Sequence, residues 1–185
     1  MKAIPTALAG VIIFEPSVHR DKRGFFLESY REDILHTHDI SPHFVQENLL
    51  KSKCFTLRGL HYQLKKPQAK LCWVPYGSVL DVAVDIRNGS PTFGRHVAIP
   101  LSSDNFRMLY VPRGFAHGVL AMKDDTLFQY KCDDYYLPQD SKGISWNDPD
   151  LAIEWGVDIP ILSEGDQNLP LLKDLSKKDL PVYES

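Results

Sequence analysis

The feature that most constrains this chain is its rhythm. Short runs of strand-forming residues recur about every ten positions, with turn residues between them. "GVIIFEP" is β-branched and stops at Pro16. "FFLESY", "HFVQENLLKS", "FTLRGLHYQ", "KLCWVPYG", "SVLDVAVDI", "RHVAIPL", "FRMLYVP", "FAHGVLAM" and "TLFQYKCDDYY" follow. Pro75 to Gly77 and Asn88-Gly89 supply turn punctuation. "REDILHTHDI" is the one good helix candidate in the first half. Many short strands with regular turns predict an all-β sandwich or barrel. In "SVLDVAVDI" the period of two sets Val79, Asp81, Ala83 and Asp85 on one face. Leu80, Val82, Val84 and Ile86 take the other and are expected in the core. From about Asp133 the chain turns rich in Pro, Asp, Gly and Trp, which predicts a loop-rich C-terminal wrap with one short helix. Trp146 and Trp155 are expected to pack that wrap against the barrel.

Composition narrows the classes. The 185 residues make one domain, residues 1–185, able to bury a core without staples. The net charge of −3 argues against nucleic acid as the main partner. The apolar run near the start is broken by Glu15 and Pro16, too short for a signal segment or a membrane span. Cys54, Cys72 and Cys132 are scattered and form no CxxC pair, so reduced thiols and a cytoplasmic location are expected. His36, His38 and His43 read as solvated surface residues.

Two segments carry chemistry. His61 lies in "RGLHYQ", and Lys70 follows in "QAKLCWVPYG". Alone, His61 reads as a satisfied core histidine and Lys70 as a snorkelling surface residue. The frame around them reads otherwise. It resembles the cupins, small double-sheet barrels whose first motif carries His-x-His and then Glu, and whose second carries Pro and His. Here Gln63 stands at the second histidine, Lys70 at the glutamate, and Gly77 closes the motif. Pro112 precedes His117 in "PRGFAH". Only His61 and His117 remain of four expected metal ligands. A lysine is a cation and offers no lone pair, so no metal and no cofactor are expected. An ammonium beside an imidazole suits an enolate instead. The cation steadies a developing oxyanion and the ring removes a proton next to a carbonyl.

Further segments suggest the substrate class. "DKRGFFLES" offers Arg23, Phe26 and Glu28; "FVQEN" offers Gln46 and Asn48; "LRGLH" adds Arg58; "LFQYKC" presents Tyr130, a phenol able to act as an acid. Guanidinium, aromatic and carboxylate together suit a phosphate-linked base. Singly, each could be an ion pair, a core aromatic or a capping amide.

In this order, with "VPRGFAHG", "WNDPDLAIEW" and "LSEGDQNLPLL", the segments resemble the dTDP-4-dehydrorhamnose 3,5-epimerases, cupin-fold nucleotide-sugar epimerases, over nearly the whole chain. The resemblance implies a jelly-roll barrel and metal-free inversion of dTDP-4-dehydro-6-deoxy-D-glucose at C3 and C5. It makes His61 the base, Asp166 its dyad partner and Tyr130 the acid on the opposite face. Lys70 is set near the C4 oxygen and His117 in the sugar pocket. Arg23, Phe26, Glu28, Gln46, Asn48 and Arg58 match the nucleotide-sugar contacts. Part of the first strand region crosses between subunits in the family, which implies a homodimer. The chain departs from the family at Gly165, where a lysine is common, and in "LPQDSKG", where Asp140 and Ser141 stand near a usual glutamate. A single-centre 3- or 5-epimerase, a metal cupin oxygenase and a non-catalytic nucleotide-sugar binder are the competing readings.

Overall fold

The computed structural model describes residues 1–38, 40 and 43–183. Asp39, at the end of the candidate helical segment, lies outside the described residues. The elements run β1 (Lys2–Pro5), β2 (Ile12–Glu15), β3 (Val18–Asp21), β4 (Gly24–Leu27), α1 (Glu32–His36), β5 (Gln46–Ser52), β6 (Leu57–Gln63) and β7 (Lys70–Tyr76). They continue as β8 (Ser78–Asp85), β9 (His96–Ser102), β10 (Met108–Val111), β11 (Phe115–Ala121), β12 (Thr126–Cys132), β13 (Ser141–Gly143) and α2 (Glu164–Gln167). Every run expected as a strand contains one. The strands that patterning misses are β1, β3 and β13, of three or four residues each.

Two antiparallel sheets face each other. One has the order β1-β2-β10-β7-β12-β5, the other β13-β6-β11-β8-β9, and β3-β4 stands apart as a hairpin. Between the sheets lies a core containing Cys72, Val74, Ala83, Leu101, Leu109 and Phe128. This is the expected jelly-roll barrel. A second cluster sits on the outer side of the five-stranded sheet. There Leu57, Leu60, Val82, Val84 and Ile86 meet Leu151, Trp155, Leu172 and Leu180 of the tail. Trp146 packs against the same cluster, and its carbonyl accepts the indole N–H of Trp155 at 2.8 Å.

β8 is therefore buried on both faces. The face of Val79, Asp81, Ala83 and Asp85 points between the sheets, whereas Val82, Val84 and Ile86, expected in that core, point outward and are hidden because the wrap covers what would otherwise be the solvent side. Each fully buried apolar side chain contributes about 1.5–3 kcal/mol, so the tail is a structural layer. Leu35 and Ile40, at and just after α1, similarly cover Phe14 and Leu71 of the six-stranded sheet. His36, His38 and His43 are exposed, as expected. No helix among the described residues is long and apolar enough to cross a membrane.

One irregularity positions the chemistry. In β6, Arg58 and His61 are three residues apart, so a regular strand would point them to opposite faces. The pairing of β11 with β6 shifts there: His117 faces His61, yet Val119 faces Arg58. Three steps on β6 match two on β11, a bulge that turns both side chains into the barrel. Gly59 sits in it with φ +106°, and a Cβ there would come 2.5 Å from the His117 carbonyl oxygen. Only glycine fits.

Candidate active site

The barrel opens into a cavity of about 420 Å³, within the ordinary range for small-molecule pockets. Its walls are the two sheets. The five-stranded sheet supplies Arg58, His61 and His117; the six-stranded sheet supplies Gln46, Asn48, Lys70 and Tyr130. Pairing across β5, β12 and β7 sets Asn48 beside Tyr130 and Tyr130 beside Cys72. The next rank is Gln46, Cys132 and Lys70. Period-two alternation thus brings two amides, a phenol and an ammonium to one surface.

His61 and Asp166 meet at 2.5 Å, Nε2 to Oδ1. The sequence separates them by 105 positions. Asp166 arrives on α2, whose N-cap Ser163 accepts the Asp166 backbone N–H and donates its hydroxyl to Oδ2 at 2.8 Å. The carboxylate side chain is 6% exposed and the imidazole 44%. The pair is thus anchored at the acid and open at the ring. Burial raises the Asp166 pKa, but hydrogen bonds from His61 and Ser163 and the facing imidazole outweigh it, leaving the carboxyl below its usual value.

Tyr130 stands on the other wall. Burial is the main cause that pushes its phenol up to about 12, so it keeps its proton at neutral pH. Lys70 Nζ lies 5.8 Å from the centroid of its ring. A cation and a proton donor therefore share one wall and face an imidazole–carboxylate pair on the other.

His117 has a carboxylate partner that the sequence reading did not assign. Its Nε2 lies 2.6 Å from Asp81 Oδ1, and both side chains are buried. Alternation sets Asp81 on the face opposite the expected core; in the structure that face points between the sheets, where a carboxylate needs a partner. Tyr136 was also missed. It lines the cavity, half exposed, and its backbone N–H donates to Gln46 Oε1 at 2.9 Å.

The cupin metal frame does not fit an ion here. The Gln63 amide donates to the carbonyls of Lys66 and Tyr135, and its oxygen accepts the Leu137 N–H at 2.6 Å. It clamps two loops. The donor set of the frame is then a carboxylate-bound histidine, a committed amide, a lysine and a second carboxylate-bound histidine. Asp140 is also committed, accepting the backbone N–H groups of Lys65 and Lys66. Ser141 lines the cavity, whereas Gly165 lies in α2.

Arg23, Phe26 and Glu28 do not line this cavity. Arg23 is in the turn of the β3-β4 hairpin and pairs with Asp21. Phe26 is 71% exposed. Glu28 follows β4 and lies 3.9 Å from Arg31.

The family model described as dTDP-4-dehydrorhamnose 3,5-epimerase matches residues 5–174. The chain belongs to this family. The Methanothermobacter thermautotrophicus dTDP-4-dehydrorhamnose 3,5-epimerase is 44% identical to it over 183 residues, 97% of this chain and 96% of that one. The Pseudomonas aeruginosa protein of the same name is 46% identical over 171 residues, 90% of this chain and 93% of its own. Among solved structures, the Legionella pneumophila dTDP-6-deoxy-D-glucose-3,5-epimerase in complex with dTDP-4-keto-L-rhamnose superposes with a TM-score of 0.96 at 42% identity. That match covers 100% of this chain and 99% of that one. A Streptomyces bikiniensis 3'-monoepimerase in complex with dTDP-quinovose shares the fold at 35% identity and a TM-score of 0.91, over 97% of this chain and 92% of its own.

Proposed function

We propose that this protein inverts C3 and C5 of dTDP-4-dehydro-6-deoxy-D-glucose to give dTDP-4-dehydro-L-rhamnose. One observation supports the chemistry above the others: the His61–Asp166 pair and Tyr130 line opposite walls of one cavity. Hydrogens on carbons next to a ketone are acidified, and inverting such a centre needs removal on one face and return on the other. His61 takes the proton, with Asp166 holding its tautomer and steadying the imidazolium. Lys70 stabilises the enolate oxygen at C4. Tyr130, kept protonated by burial, returns a proton from the far side. Arg58, Gln46, Asn48 and His117 hold the nucleotide sugar.

Arg23, Phe26 and Glu28 support a homodimer in this reading. Arg23 and Phe26 sit on an exposed hairpin and Glu28 just after it, none of them lining the cavity of their own chain, a suitable place from which to complete a partner's site.

The test is solvent exchange. The protein is incubated with dTDP-4-keto-6-deoxy-D-glucose in deuterium oxide and the sugar is read by NMR. Deuterium at both C3 and C5, with L-lyxo product trapped by a reductase, is expected. Deuterium at one carbon alone would make the protein a single-centre epimerase, and none at either would remove the reading.

A further inference from the structure

Beneath the cavity wall lies a group that the proposed reaction leaves only partly explained. Cys72 (β7), Asp81 (β8) and His117 (β11) converge from the two sheets, and their ligand atoms all lie within 4.8 Å of one another. All three are buried. Asp81 Oδ1 is engaged by His117, but Asp81 Oδ2 is buried with no hydrogen-bond partner among the described residues. An unpaired carboxylate oxygen inside a barrel is costly, and buried charges are normally paired or bound to metal.

We propose that Cys72, Asp81 and His117 form a binding site for a thiophilic divalent cation of the zinc type, and that filling it blocks the substrate cavity. The sulfur–nitrogen spacing suits a tetrahedral ion, and Asp81 must draw back to admit it: nitrogen and oxygen ligands of such an ion stand about 3.3 Å apart, whereas His117 Nε2 and Asp81 Oδ1 lie 2.6 Å apart. With Zn–S of about 2.3 Å and Zn–N of about 2.0–2.1 Å, sulfur and nitrogen ligands stand about 3.6 Å apart. Cys72 Sγ and His117 Nε2 are 3.8 Å apart. The ion takes the place of the proton between His117 Nε2 and Asp81, the imidazole carries its proton on Nδ1, and Oδ2 gains the partner it lacks. The Cys72 thiol gives up its proton to solvent and binds as thiolate. Thiolate and carboxylate then neutralise the two charges of the cation, so the buried cluster carries no net charge. The fourth ligand, a water, comes from the cavity that His117 lines. This set is distinct from the cupin frame: it shares His117 and replaces the lysine and amide positions with a thiolate and a carboxylate.

His117 cannot serve an ion and a sugar together, so metal and substrate exclude each other. The site thus makes the enzyme sensitive to thiophilic metal without giving metal a part in the chemistry.

Cobalt(II) is the probe, because a thiolate–cobalt bond gives a near-ultraviolet charge-transfer band. Titration of the substrate-free protein is expected to develop that band at one cobalt per chain, with proton release, and zinc is expected to bleach it. Cys72→Ser should abolish the band and weaken binding by more than about 100-fold, beyond the loss seen for outer-shell changes. His117→Gln should also abolish it with the thiol still in place, and Cys132→Ser should retain it. No band in the wild type, or a band that survives Cys72→Ser, overturns the site. In the turnover assay, zinc should raise the apparent KM of the wild type but not of Cys72→Ser. Equal inhibition of both overturns the blocking role. The band is read without substrate, so its failure and failure of the epimerase reading are separate results.

Discussion

At the scale of single residues, the site is a set of unequal environments. His61 is open and Asp166 closed, which suits a ring that meets substrate and a carboxylate that does not. His61→Ala should lower turnover by about 10²–10⁴-fold, the usual share of a positioned base, while dTDP binding measured by calorimetry changes little. A variant with near-full rate would remove the base assignment. Tyr130→Phe should separate two readouts: deuterium wash-in at the sugar should outlast product formation, because the proton leaves but does not return from the other side. Equal loss of both would contradict the role. The phenol also sets a pH dependence. Tyr62, Tyr110 and Tyr130 are each pushed up to about 12, burial being the main cause. An unfolded tyrosine titrates near 10. The contribution of these groups to stability is therefore complete below about pH 10 and is lost as pH rises through about 12. Phenolate absorbance should show these three ionising late, together with loss of the near-ultraviolet dichroism. Asp166 runs the opposite way. Its pKa is depressed, so its contribution is present above the ordinary carboxylate range and fades as pH falls through the lowered value.

At the scale of elements, the bulge in β6 and the turn after β8 do the positioning. Gly59→Ala puts a Cβ against the backbone of β11 in a left-handed conformation. It should cost about 1–3 kcal/mol of strain and misplace both Arg58 and His61, seen as a lower Tm with turnover reduced even in the folded fraction. Asp85 is buried, and its carboxylate is bound by Arg87, Ser90 and Thr92. Burial raises its pKa, but those bonds bring it down to about 2. Arg87 is itself stacked between Phe115 and Tyr183, its guanidinium carbon 4.5 Å and 4.9 Å from their centroids. Asp85→Ala should destabilise by about 3–5 kcal/mol in urea titration, the cost of stranding one member of a buried pair. These features explain what the sequence could and could not reveal. Strand-length runs separated by turns exposed the barrel, because alternation is a local property. The bulge is not local in that sense: Gly59 looks like a weak spot in a strand until β11 is laid beside it. Alternation separates the two faces of β8 but assigns the core to the wrong one, because the wrap that buries the Val82, Val84 and Ile86 face comes from residues far along the chain. Asp81 was placed on its face without a partner, since His117 lies 36 positions on. The His61–Asp166 link came from resemblance, because no periodicity connects residues so distant.

At the scale of the whole molecule, the hairpin residues decide how many chains make a site. If Arg23 serves the partner, a pocket variant and a hairpin variant should complement. Mixing His61→Ala with Arg23→Ala after reversible dissociation, assayed below KM, should recover about a quarter of wild-type rate, from one intact site in half of the dimers. No recovery would show that each chain supplies its own hairpin. The wrap acts at the same scale. It covers β8, carries α2, and so delivers Asp166 to His61. A ribosome moving at about 5–20 residues per second therefore needs about 5–20 s after making His61 before the 105-position gap is crossed. For that interval the nascent chain holds an imidazole without its carboxylate and a barrel with one bare greasy side. Catalytic competence and burial of that face should arrive together.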